Sequence, residues 1–109
     1  MYTDHMKTFS QRVIEAAISV PKGRVTTYGD IAHASGAGGQ AARSVNGILV
    51  RAYKKGQTDI PFHRIVYSSG RVWKQGNSIP WRAVQYKKEG MSVSEKGYIN
   101  DFLTKRWEF

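Results

Sequence analysis

Cysteine is missing from this chain of 109 residues, which excludes disulfides, thiolate metal sites and any reaction that begins with a thiolate nucleophile. Groups suited to general-base work remain, three His and eight Asp and Glu. His63 stands in the segment Pro61-Phe62-His63-Arg64-Ile65, where a bulky apolar ring precedes the imidazole. Phe62 has no lone pair with which to attack anything. Its type suits either a core position or the wall of an apolar pocket.

These residues must be positioned by a small body. The length allows one compact domain over residues 1–109 and one modest core. Thr8-Phe9-Ser10-Gln11 forms a capping box, and Phe9, Val13, Ala16, Ala17 and Val20 continue from it as one apolar stripe, so a first helix ends near Val20. Pro21-Lys22-Gly23 breaks it, and the β-branched run Val25-Thr26-Thr27 is extended. A short second helix runs from about Tyr28 to Ser35, with Thr27 and Asp30 spaced as a helix start. After Gly36-Ala37-Gly38-Gly39 a longer helix opens at Gln40, completing a helix-turn-helix pattern.

On that third helix Ala41, Val45, Ile48, Leu49 and Ala52 share one face, and Gln40, Arg43, Asn46, Gly47 and Val50 the other. The second face is small in bulk, with Arg43 as its long projection. Lys54-Lys55-Gly56 suits the helix's C-terminal end. Beyond it, Ile65-Val66-Tyr67 and Arg71-Val72-Trp73 flank Ser68-Ser69-Gly70, which predicts a β-hairpin and a small wing-like sheet. Ser78 and Pro80 introduce a helical segment through about Glu89, closed by Gly90, with Trp81 and Val84 as its core contacts. Tyr98, Ile99, Phe102, Leu103 and Trp107 make either a last helical turn or an irregular tail.

Seventeen Lys and Arg against eight Asp and Glu leave a net charge of +9, a field that favours a polyanionic partner, nucleic acid first. No stretch approaches the roughly 20 apolar residues of a membrane span. The start around Asp4 and His5 lacks the basic end and apolar core of a signal peptide, so a cytoplasmic protein is expected.

Pro61-Phe62-His63-Arg64-Ile65 resembles the Pro-Cys-His-Arg-Val active-site segment of the O6-alkylguanine-DNA alkyltransferases, with phenylalanine at the cysteine position. Val20-Pro21-Lys22-Gly23-Arg24-Val25-Thr26-Thr27-Tyr28 resembles the family's approach to its DNA-binding helices, and Ala41-Ala42-Arg43-Ser44-Val45 its recognition helix. Ser68-Ser69-Gly70 and Glu89-Gly90 fall at matching spacings, so the likeness spans about residues 8 to 91. The chain is most similar to the alkyltransferase-like subfamily, whose members lack the acceptor cysteine and bind alkylated DNA without repairing it.

The resemblance implies a mainly α fold with a small β-hairpin, a winged-helix-like helix-turn-helix domain that binds in the minor groove. Arg43 then matches the finger that fills the gap left by a rotated nucleotide, with Ala41 and Ala42 beside it for close approach. Tyr28 matches a tyrosine that crowds the target phosphate, and Ser68 a contact to the DNA or to the flipped nucleotide. Phe62, His63, Arg64, Ile65, Gln75 and Glu89 fall around the lesion pocket. Gln75 departs from the tyrosine or arginine that relatives carry, with Lys74 and Trp73 beside it. His63 and Glu89 match a relay that ionises the cysteine; with nothing to activate, they are expected to order the pocket.

The expected function is therefore non-enzymatic recognition of O6-alkylguanine in duplex DNA, flagging damage for nucleotide excision repair proteins, by a monomer without metal or organic cofactor. A sequence-specific helix-turn-helix regulator is one rival. An enzyme acting on the alkylated base through His63 and Glu89 is the other.

Overall fold

The computed structural model describes residues 7–38, 41–72 and 84–109. It divides into two compact units, Met1–Ser19 with Tyr28–Ile60 and Phe109, and Val20–Thr27 with Pro61–Glu108.

The first unit is helical. Helix α1 (Phe9–Ser19) begins where the capping box predicts. Thr8 N–H donates to Gln11 Oε1 at 2.8 Å and Gln11 N–H to Thr8 Oγ1 at 3.1 Å, so two otherwise orphaned donors are satisfied reciprocally. Helix α2 (Tyr28–Ala34) follows Thr27 directly. It closes on Gly36 at φ +90°, where Gly36 N–H donates to His33 and Ala37 N–H to Ala32, the two bonds of a Schellman cap. Helix α3 (Ala42–Lys54) ends with the same pair of bonds around Gly56.

The three helices pack on one another through Val13 and Ala17, Ile31 and Ala32, and Val45, Ile48 and Leu49, all buried. Burial on α3 follows the expected face, and Arg43 on the other face is exposed. Gln40 lies outside the described residues.

The second unit holds the sheet. Strand β1 (Thr26–Thr27) pairs in parallel with β2 (Ile65–Val66), Thr26 opposite Ile65 and Thr27 opposite Val66. The sequence led us to expect Ile65–Val66 in a hairpin with 71–73. The turn of that hairpin is present, with Gly70 N–H donating to Tyr67 O at 2.8 Å and Tyr67 N–H to Arg71 O at 2.9 Å. Arg71 also bridges Tyr98, and Trp73 is outside the described residues. All four strand residues are β-branched and at most 1% exposed, the pattern of a parallel layer covered on both faces.

Val25, Val66, Val72, Tyr86, Met91 and Ile99 form this unit's core, with Val93 and Phe102 packed against it. The helical stretch over 84–88 closes at Gly90 as expected. Val84, however, is 52% exposed and Tyr86 is fully buried. Two residues on a helix are about 200° apart, so burying Tyr86 turns Val84 outward. Trp81 lies outside the described residues. The C-terminal residues end in a last helical turn, α4 (Phe102–Lys105), with Ile99 buried and Leu103 exposed. Among the described residues no helix is long and apolar enough to cross a membrane.

Candidate functional site

Pro61 starts a 3-10 turn over Phe62–Arg64, in which Arg64 N–H donates to Pro61 O at 2.9 Å. The turn sets His63 and Arg64 side by side, and both reach Glu89. His63 Nε2 lies 2.6 Å from Glu89 Oε2. Arg64 donates from Nε to Oε1 at 3.0 Å and from Nη2 to Oε2 at 2.9 Å, while its Nη1 donates to the Val20 carbonyl at 3.0 Å. Gly23 N–H completes the set, donating to Glu89 Oε1 at 3.1 Å.

One carboxylate thus ties together three chain segments: the turn after α1, the 3-10 turn, and the end of the 84–88 helix. The Glu89 and Arg64 side chains are only 8% and 14% exposed. A carboxylate at a helix C-terminus opposes the local dipole, and the guanidinium supplies the missing positive charge. Burial by itself raises the pKa of Glu89, but the hydrogen bonds from Arg64, His63 and the Gly23 amide outweigh it and hold the group at about 2. An ionised carboxylate only accepts, so the proton between Glu89 and His63 belongs to His63 Nε2. The imidazole also lies against the Tyr86 ring, centroids 6.0 Å apart.

Of the residues expected around a pocket, His63, Arg64 and Glu89 are therefore joined directly. Phe62 is half-buried at the head of the 3-10 turn, and Ile65 is 1% exposed within β2. Ser68 is exposed in the turn Tyr67–Gly70. In the helical unit, Tyr28 opens α2 half-buried, Ala41 and Ala42 are half-buried at the start of α3, and Arg43 is exposed one residue on. Gln75, Lys74 and Trp73 lie outside the described residues.

Sequence reasoning missed two members of the network because both are backbone groups, the Val20 carbonyl and the Gly23 amide. The signal for them was the Pro21-Lys22-Gly23 break, where Gly23 takes a φ of +84° that favours glycine. Among the described residues no group of three or more His, Cys, Asp or Glu is placed to hold a metal ion. A cleft of about 520 Å³ in the helical unit, walled by Ser10, Ile14, Ile48, Arg51 and Lys55 among others, includes none of the candidate residues.

Two short helices joined by a glycine-bearing turn, with α3 offering Arg43 to solvent, define a helix-turn-helix protein. The sequence model described as "6-O-methylguanine DNA methyltransferase, DNA binding domain" matches residues 8–91, and the chain belongs to that family. It is 37% identical over 102 residues to the DNA base-flipping protein of Escherichia coli, covering 94% of this chain and 76% of that one. Against the methylated-DNA–protein-cysteine methyltransferase of Mycobacterium tuberculosis the identity is 37% over 71 residues, 65% of this chain and 41% of the enzyme. The fold is similar to that of S. pombe Atl1, crystallised with damaged DNA containing O6-carboxymethylguanine, at a TM-score of 0.73 and 25% identity over 93% of this chain and 95% of that one.

Proposed function

We propose that this chain binds duplex DNA containing O6-alkylguanine, rotates the damaged nucleotide out of the stack and leaves the alkyl group in place. One observation carries the reading: the His63–Glu89 pair is intact at 2.6 Å, directly after Phe62, in a chain with no cysteine. Alkyl transfer forms a carbon–sulfur bond as the bond from the alkyl carbon to guanine O6 breaks, and it needs a thiolate as electron-pair donor. A phenyl ring at the acceptor position offers no such pair. It offers an apolar wall against which an alkyl carbon displaces water.

On this reading Phe62 is the wall of a lesion pocket; Ile65, 1% exposed in β2, is a core residue that offers the pocket no surface. The knot of His63, Arg64 and Glu89 holds the 3-10 turn that carries Phe62. Tyr28 crowds the target phosphate, Arg43 fills the vacated stack from the minor groove with Ala41 and Ala42 close to the backbone, and Ser68 contacts the nucleotide. Residues 1–109 work as one DNA-binding domain, a cytoplasmic monomer without a cofactor, and the bound complex marks the lesion for nucleotide excision repair. The relatives support the DNA and lesion parts of this reading: one carries the name of a base-flipping protein, and another was crystallised on damaged DNA.

The test is a labelled duplex with and without one O6-methylguanine. Tighter binding to the damaged duplex, with the lesion chemically unchanged afterwards, is expected. Equal binding to both, governed by sequence, would replace this reading with a transcriptional regulator; loss of the methyl group would replace it with an enzyme.

A further inference from the structure

The family match ends at residue 91, yet the residues after it are woven into the second unit. Val25 N–H donates to Lys105 O at 2.9 Å and Trp107 N–H to Val25 O at 2.7 Å, which sets Arg106 beside Val25 as a parallel neighbour. Ile99 N–H donates to Gly70 O at 2.9 Å and Val72 N–H to Gly97 O at 2.8 Å, on either side of the Arg71–Tyr98 bridge. The Phe102 ring closes the arrangement. A Cβ built on Gly70 would stand 2.8 Å from Phe102 Cγ, so the ring lies against bare backbone, at a residue whose φ of +85° already favours glycine. Arg106 in turn places its guanidinium carbon 5.6 Å from the centre of that ring.

Gly70 is the last residue of the turn that carries Ser68. That turn has two backbone hydrogen bonds of its own, and Tyr67, Ser68 and Ser69 are exposed. The segment 97–107 holds the base of this turn at Gly70 O, at Val72 N–H and at the Gly70 Cα.

We infer that the segment 97–107 is a positioning element for DNA recognition, and that Phe102 is its principal positioning residue, ordering the Tyr67–Gly70 turn before DNA arrives. The inference rests on the reading of Ser68 as a nucleotide contact. Ordering the turn during folding removes an entropic cost from binding, and it does so where Ser68 meets the nucleotide. Phe102 sits at the margin of the core, packed against it without being buried in it, so shortening this side chain loosens the turn before it opens the core.

The experiment compares Phe102→Ala, Phe102→Leu, Ser68→Ala and the double variant Ser68→Ala/Phe102→Ala in the full chain. Affinities are measured for a duplex with one O6-methylguanine and for the same duplex undamaged, and a thermal melt checks each variant. Phe102→Ala is expected to lower the preference for the lesion by roughly three- to tenfold, with undamaged-DNA affinity unchanged. Phe102→Leu recovers part of the loss, and the double variant is no worse than the poorer single one, because both act through one contact. The inference is overturned if folded Phe102→Ala keeps the full preference, or if the two losses add. Should Phe102→Ala melt below the assay temperature, Phe102→Leu alone and with Ser68→Ala decides by the same additivity. If Ser68→Ala keeps the full preference, Ser68 is no contact and both readings fall; if only the Phe102 variants are silent, the positioning role falls alone.

Discussion

Arg64 grips Glu89 with two nitrogens at once, Nε 3.0 Å from Oε1 and Nη2 2.9 Å from Oε2, and spends a third on the Val20 carbonyl. Removing either partner strands the other in a place with little water. Glu89→Ala is expected to destabilise the fold by about 3 kcal/mol, since it leaves a guanidinium and the Gly23 amide without their acceptor. Arg64→Lys keeps the charge but loses the two-point grip, and is expected to fall between wild type and Glu89→Ala. Urea unfolding followed by tryptophan fluorescence checks both. Wild-type stability in Glu89→Ala would show that the knot is not what holds the three segments together.

The same carboxylate dictates an acid response. Its folded pKa of about 2 lies below the ordinary 4.5, so its contribution is complete above about pH 4.5 and disappears as the pH falls towards 2. The melting temperature of the wild type should drop across that window. Glu89→Gln, which cannot titrate, should start lower and lose less of its melting temperature between the two ends. Parallel curves for the two proteins would contradict the assignment.

Incubation with alkylated DNA is expected to add no mass to the protein, because the chain holds no cysteine. Phe62→Cys puts a thiol next to His63. Weak, slow transfer is expected from it, measured by intact-protein mass spectrometry. Brisk transfer would show that the pocket has kept an alkyltransferase's geometry; a stoichiometric mass gain on the wild type would overturn the non-enzymatic reading itself.

Arg43 is exposed on the side of α3 away from Val45 and Leu49, so Arg43→Ala opens no cavity and the fold should survive. If it fills the vacated stack, its loss weakens lesion binding by more than one phosphate contact would, the latter showing as a change of about 0.9 in the log–log salt slope. Tyr28→Phe should be mild and Tyr28→Ala severe if crowding of the phosphate matters. A fluorescent base analogue beside the lesion reports the unstacking. Full affinity and an unchanged signal in folded Arg43→Ala would make this residue an ordinary surface arginine.

Amino-acid order alone was enough for features whose partners lie within about five residues. The Thr8–Gln11 capping box, the closures at Gly36, Gly56 and Gly90, and the buried face of α3 are all short-range hydrogen bonding or helical periodicity, and both are written in residue spacing. The motif around Phe62, with Glu89 downstream, was equally legible, because it is a matter of which residues are present.

Partner choice was not legible. Nothing in the β-branched pair Ile65–Val66 names Thr26–Thr27 as its parallel neighbour, because that segment lies far away in sequence. An arginine has five donors and eight acidic residues in this chain to choose from, and nothing local assigned Arg64 to Glu89 and to a backbone carbonyl at Val20. The tail read as ambiguous for the same reason. Its bonds to Val25 and Gly70 join residues far apart in sequence, and such contacts form only once the segments between them have been folded into place.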